Sequence, residues 1–184
     1  MKSYLITDPS LYGSTSDALE SSLRAVFSKT VPDFALFRDK QTSHYAALAQ
    51  TFIAVCHQRN VPKILLHGDC ALAHELKADG VHLASAQYDA IREAKSLGLY
   101  VIISTHTYAE ALNAQKLGAD AITYSPIFYS PNKGEPKGLE DLKEIVDKIE
   151  IPIFALGGII SEEQINAVAA TGTYGFASIR YFVP

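Results

Sequence analysis

The chain has 184 residues and a mass of 20.0 kDa, which suits one domain with a sizeable core. Its formal net charge of −4 and ordinary composition, 48% hydrophobic and 20% charged, give no general reason to expect nucleic acid or an anionic membrane as a partner. No apolar run approaches the roughly 20 residues of a membrane span, and MKSYLITDPS at the N-terminus lacks a signal-peptide core, so a cytoplasmic location is expected.

Strand and helix patterns alternate along the whole chain. Strands are expected at about 3–7, 33–38, 63–67, 80–83, 100–104, 120–124, 152–156 and 175–180. Helices are expected at about 15–29, 42–59, 69–77, 87–97, 107–117, 138–149 and 161–171. The strand runs are continuously apolar, as in a sheet covered on both faces. Ser161 followed by Glu162 and Glu163 suits a helix start, and Gly98 and Gly118 suit helix ends. Three turns echo one another and lead into strands: Lys77-Ala78-Asp79-Gly80, Gly118-Ala119-Asp120-Ala121 and Gly172-Thr173-Tyr174-Gly175. No linker divides the chain. The fold class expected is α/β, a single (β/α)8 TIM-barrel domain over residues 1–184. Only four residues follow Arg180, so the last helix is expected to be missing. Apolar surface left beside strands eight and one then predicts a homo-oligomer. Cys56 and Cys70 fall in helix-like segments and fit no metal spacing, so both are read as buried thiols.

Each strand run stops at a polar residue or a glycine pair. YLIT stops at Asp8, FALF at Arg38, ILL at His67, GV at His82, VII at Ser104-Thr105-His106, AIT at Tyr124-Ser125, IFAL at Gly157-Gly158 and FASI at Arg180. In a parallel barrel these ends share the face where chemistry occurs. Arg38 and Lys40 can reach one anionic ligand, or form a salt-bridge cluster with Asp39 or a neighbouring loop. Gly157 and Gly158 can bring backbone N–H groups to an anion beside Arg180, or simply make a tight turn. The loop SPIFYSPNKGEPKG, 125–138, carries Lys133 and Lys137, and reads as a cationic lid or as a proline-stiffened solvated loop. His44, His57 and His74 lie on helices as surface or packing residues. His67, His82 and His106 lie at or beyond strand ends, where an acid or base is plausible. No zinc-type spacing is present, and no metal site is expected.

Several segments together resemble the thiamine phosphate synthase family: YLITD, FRDK, ADGVHL, IISTHTYAEA, the YSPIFYSPNK-to-KGL loop, IPIFALGGI and GFASI. The resemblance implies a (β/α)8 barrel that joins a pyrimidine pyrophosphate to a thiazole phosphate, with magnesium on the pyrophosphate. By position it implies that Arg38 and Lys40 contact pyrophosphate, with Ser104 nearby. Ser130, Asn132 and Lys133 would form the lid that grips phosphate. Gly157 and Gly158, with the end of strand eight, would hold the thiazole phosphate.

Departures from the family pattern fall on the metal. His67-Gly68 stands where the family has Asn-Asp, and Gln87 where it has a second aspartate. Leu36 replaces a glutamine, and Arg180 a serine. Magnesium needs hard oxygen ligands, so it remains possible as a cofactor but without its usual ligands. The paralogous thiazole tautomerases also lack those carboxylates, but their catalytic histidine falls where this chain has Pro126. Neither set is complete. The headline expectation is a divergent synthase acting on small phosphorylated thiazole and pyrimidine precursors. A tautomerase-like enzyme, with His67 as first candidate base and His106 as second, is the alternative. A non-catalytic binder of a thiamine precursor is the third reading.

Overall fold

The computed structural model describes residues 1–131 and 133–183. Eight parallel strands close into a barrel in chain order. They are β1 (Lys2–Ile6), β2 (Phe34–Phe37), β3 (Lys63–His67), β4 (Gly80–Leu83), β5 (Tyr100–Thr105), β6 (Ala121–Tyr124), β7 (Ile153–Leu156) and β8 (Gly175–Ser178). β8 pairs back onto β1 through Lys2 with Gly175 and Leu5 with Ser178, so no sheet edge is left open. The helices are α1 (Pro9–Tyr12), α2 (Ser16–Lys29), α3 (Tyr45–Gln58), α4 (Cys70–Glu75), α5 (Ala90–Ser96), α6 (Tyr108–Leu117), α7 (Gly138–Lys148) and α8 (Glu162–Ala169).

The two faces of each strand feed two cores. Tyr4, Ile6, Phe34, Leu36, Leu65, Ile102, Phe154 and Ala177 fill the barrel interior, while the opposite faces pack under the helices. This is why the strands read as unbroken apolar runs rather than as alternating ones. Two of the three echoing turns share a mechanical purpose with the turn before β2. Asp79, just before β4, accepts from Ile64 N at the start of β3, and Asp120, just before β6, accepts from Val101 N at the start of β5. Asp33, before β2, does the same for Ser3 N on β1. A carboxylate thus secures the bottom of each of these strand pairs.

Helix starts follow capping chemistry. Thr107 and Glu110 form a reciprocal capping box at α6, and Thr15 and Ser161 cap α2 and α8. α3 begins at Tyr45, three residues later than the sequence pattern suggests. The buried Asp39 carboxylate accepts from Gln41 N and Thr42 N and holds that stretch in a turn. The short α1 was not anticipated. Asp8 caps it and Pro9 opens it. As expected, no helix follows β8 among the described residues. The chain instead turns back so that Phe182 stacks on Phe176 at 6.0 Å and Tyr181 meets the same ring edge-on at 5.3 Å. Cys56 and Cys70 are both buried free thiols. No helix among the described residues is long and apolar enough to cross a membrane.

Candidate active site

The C-terminal ends of the strands open into a cavity of about 800 Å³. Its floor is apolar, formed by Ile6, Leu36, Leu156, Ala177 and Ile179, and its wall is polar. Of the residues singled out in the sequence, Arg38, Lys40, His67, Ser104, His106, Ser130, Lys133, Gly157, Gly158 and Arg180 all line it. Asn132 lies outside the described residues.

One side of the mouth is cationic. Thr7 Oγ1 accepts from Arg38 N at 2.9 Å, which pins the end of β2 to the end of β1. The Arg38 guanidinium lies 3.6 Å from Asp8, not against Asp39. Asp39 is occupied by the backbone N–H groups of its own turn, so the expected salt-bridge alternative takes its neighbouring-loop form, with Asp8 after β1 as the partner of Arg38. Lys40 is held below its ordinary pKa, first by Arg38, then by partial burial, then by Lys133. Three cations therefore crowd one region and repel one another, an arrangement suited to an anion between them.

A second anion-suited group lies at the ends of β7 and β8. Gly157 and Gly158 have φ of +105° and +69°. A Cβ on Gly158 would come within 2.5 Å of Tyr129 O, and one on Gly157 within 2.8 Å of Pro126 Cα. The pair thus meets two demands at once, a left-handed turn and the close passage of the loop after β6. Phe128 N donates to Gly157 O at 3.0 Å and ties the two together. Ser178 Oγ donates to Ile159 O at 2.7 Å and joins the β8 end to the same turn. Among the described residues, no acceptor takes the backbone N–H of Gly158, Ile159 or Arg180. These donors border the cavity and leave room for an anionic oxygen.

The long loop is anchored at both ends. Lys137 N donates to Pro126 O at 2.8 Å and Gly138 N to Ile127 O at 3.1 Å, while Lys137 Nζ lies 5.3 Å from the centre of the Tyr124 ring, at cation–π distance. The part between, which carries Ser130 and Lys133, reaches the cavity.

The histidines separate sharply. His44, His57 and His74 are exposed on or at the start of helices, as expected. His67 lines the cavity, and burial, with Arg38 and Lys40 beside it, pushes its pKa down to about 4. His82 is 3% exposed, on β4 inside the barrel, where it still lines the cavity. It bridges Tyr4 Oη and Ser104 Oγ. Tyr4 was not anticipated as a polar partner, because it sits in an apolar strand 78 residues from His82. His106 Nδ1 lies 3.0 Å from Ser125 O and 3.2 Å from Ser125 Oγ. The hydroxyl can donate or accept but the carbonyl can only accept, so the closer contact is a hydrogen bond only with the proton on Nδ1, which leaves Nε2 of a neutral ring bare.

The donor set does not fit a magnesium ion. At the end of β3 stands His67-Gly68, and Asp69 is spent capping α4 through Leu72 N. Gln87 uses both ends of its amide on the protein, accepting from Ala84 N and donating to Gly68 O, each at 2.9 Å. Arg38 and Lys40 lie beside His67 and make the nearby potential positive, adding to the burial that depresses its pKa. Among the described residues, no group of three or more acidic, histidine or cysteine side chains could hold a metal.

Fold and cavity together define a class, the (β/α)8 barrels with an anion-suited C-terminal mouth. Comparison with known proteins narrows it. The profile described as thiamine monophosphate synthase matches residues 3–182, and the chain belongs to that family. It is 34% identical over 187 aligned positions to the thiamine-phosphate synthase of Clostridium novyi, covering 97% of this chain and 88% of that protein. It is 33% identical over 183 positions to that of Syntrophomonas wolfei, covering 96% and 85%. Thiamine phosphate pyrophosphorylase from Pyrococcus furiosus superposes with a TM-score of 0.82 at 27% identity, over 97% of this chain and 85% of the other.

Proposed function

We propose that this protein joins a pyrimidine pyrophosphate to a thiazole phosphate, as a thiamine-phosphate synthase that relies on cationic side chains where the family uses magnesium carboxylates. One observation carries the reading: a single cavity has two separate anion-suited groups, Arg38 with Lys40 and Lys133, and the turn of Gly157 and Gly158 with Arg180. A reaction between two phosphorylated molecules needs two such places.

In this reading the bond from the pyrimidine to its pyrophosphate breaks, and a bond to the thiazole phosphate forms. Negative charge builds on the departing pyrophosphate, and Arg38, Lys40 and Lys133 stabilise it there. The apolar floor of Ile6, Leu36 and Leu156 receives the rings. His67 is neutral at ordinary pH and too weakly basic for efficient proton abstraction. The test is incubation with both precursors, with and without magnesium, scored for thiamine phosphate. Product is expected in both. Binding without product in either would favour a non-catalytic receptor for the precursor.

A second reading rests on His106. Its Nδ1 is tied to Ser125 O, the residue before Pro126, and its bare Nε2 belongs to a side chain that lines the cavity. That arrangement suits proton transfer on a bound thiazole phosphate, the tautomerase chemistry, with His106 rather than His67 as the base.

A further inference from the structure

Below the mouth, the barrel interior holds a chain of three polar groups. Tyr4 Oη lies 2.8 Å from His82 Nδ1, and His82 Nε2 lies 2.9 Å from Ser104 Oγ. Tyr4 is 0% and His82 3% exposed and Ser104 is half-buried; His82 and Ser104 both line the cavity, and Tyr4 lies beneath them. The Tyr4 and His82 rings are 5.8 Å apart and 28° from parallel.

Each link could run in either direction, and counting donors decides between them. The Tyr4 phenol has one hydrogen, and its hydroxyl has one partner among the described residues, His82 Nδ1. If Nδ1 donated to Tyr4 Oη, the phenolic hydrogen would be sealed among Phe34 and Phe154 with no acceptor. Burying an unmet donor disfavours that arrangement by roughly tenfold or more. The phenol also keeps its hydrogen, since burial raises its pKa well above the ordinary value. Tyr4 therefore donates to Nδ1. Burial, reinforced by His67 and Arg38, brings the His82 pKa down to about 3, so the ring is neutral and carries one proton. That proton is on Nε2 and is donated to Ser104 Oγ. The hydrogen of Ser104 itself then has no protein acceptor among the described residues, and its open side is the cavity.

We propose that Tyr4 and His82 are positioning residues that fix Ser104 as a one-way hydrogen-bond donor to an anionic oxygen of a phosphorylated ligand in the mouth. The polarity is the reverse of a serine nucleophile, in which an imidazole accepts from the serine hydroxyl. Ser104 here recognises an acceptor and is not activated for attack. The identity of the ligand rests on the two-precursor reading above, but the direction of the chain does not.

Nitrogen-15 imidazole NMR on the ligand-free protein reads that direction. The expected result is a bare Nδ1 and a protonated Nε2 on His82, unchanged around pH 6.5, where an ordinary histidine titrates. A protonated Nδ1 overturns the chain. Tyr4→Phe, with circular dichroism confirming the fold, removes the donor to Nδ1 and is expected to shift the nitrogen-15 resonance of that bare nitrogen without protonating it. An unchanged Nδ1 resonance in that variant removes Tyr4 from the role. For the anion, the probe is inorganic pyrophosphate in calorimetry. Ser104→Ala is expected to weaken its binding about tenfold or more, Tyr4→Phe about threefold, and Ser104→Thr is expected to retain it. Equal binding by wild type and Ser104→Ala overturns the donor role. No pyrophosphate binding by wild type, with the tautomer as expected, counts against the two-precursor reading and upholds the polarity.

Discussion

Gln87 fastens the loop after β4 to the loop after β3, its Nε2 donating to Gly68 O at 2.9 Å while its Oε1 accepts from Ala84 N at the same distance. The family resemblance implies a magnesium carboxylate at that position, and a polar brace occupies it. If cations of the protein serve the leaving pyrophosphate, magnesium should matter little. Thiamine phosphate formation in a chelator is expected to stay within about threefold of the rate with magnesium, because no hard-oxygen cluster is available among the described residues to hold the ion. A hundredfold or greater drop, measured by product chromatography, would show that the metal is bound by other means.

The turn after β7 can be probed with one methyl group. Gly158 and Gly98 both have positive φ, +69° and +76°. An added Cβ at Gly98 meets nothing within 4 Å, whereas at Gly158 it meets Tyr129 O at 2.5 Å. Gly98→Ala should cost only the conformational strain, about 1 kcal/mol. Gly158→Ala should cost about 2–4 kcal/mol, since the loop after β6 must move as well. Urea denaturation of the two variants separates the terms. Equal losses would mean that the loop yields freely.

The contrast between these two glycines also marks what a sequence can convey. The strands were legible because burial on both faces makes them continuous apolar runs, and the cavity because each run ends on a polar residue or glycine pair. α1 was not legible. It has four residues, and only its cap and proline announce it. Close approach is invisible in the same way: Gly98 and Gly158 look alike until the loop after β6 is placed. The Tyr4–His82–Ser104 chain joins residues 78 and 22 apart, and Tyr4 reads as one more strand aromatic. Strand alternation offered a partial signal, because Tyr4 and Ile6 share a face with the mouth residue Asp8.

The two anion-suited groups should separate in binding. Arg38→Ala is expected to weaken the pyrimidine pyrophosphate by about ten- to a hundredfold, the value of a charge-assisted hydrogen bond, and to leave thiazole phosphate nearly unchanged. Arg180→Ala should do the reverse, with a smaller effect because its side chain is exposed. Calorimetry with each ligand alone checks both. If each substitution weakened both ligands equally, the cavity would have one anion place and the two-precursor reading would lose its support.

Acid should destabilise the protein through its buried histidines. His67 titrates near 6.5 when unfolded and near 4 when folded. Between those values the unfolded chain takes up a proton that the folded protein refuses, so stability is full above about 6.5 and falls as pH drops towards 4. The slope is about 1.4 kcal/mol per pH unit for one proton. His67→Asn removes that proton, so the difference in stability between variant and wild type should shift in favour of the variant as pH falls through this window. His82, depressed to about 3, continues the decline in both proteins. Urea melts at several pH values test this, and a constant difference would mean that His67 is freely protonated in the fold.

His106 offers a test of the proton-transfer reading that leaves the coupling reaction aside. Its Nδ1 is held by Ser125 O at 3.0 Å, which orients the imidazole, while Glu110 holds its backbone N–H. A bare Nε2 on an oriented ring is the geometry of a general base, worth typically 10²–10⁴ in rate. If the protein moves protons on bound thiazole phosphate, deuterium from heavy water should enter the thiazole, and His106→Gln should slow that entry by about a hundredfold or more. Affinity for thiazole phosphate should change little, because the proposed place for the anion is at Gly158 and Arg180. NMR of the thiazole ring in heavy water reports both quantities. Exchange that is equally fast in His106→Gln would remove His106 as the base, and no exchange by wild type above that in buffer would remove the tautomerase reading itself.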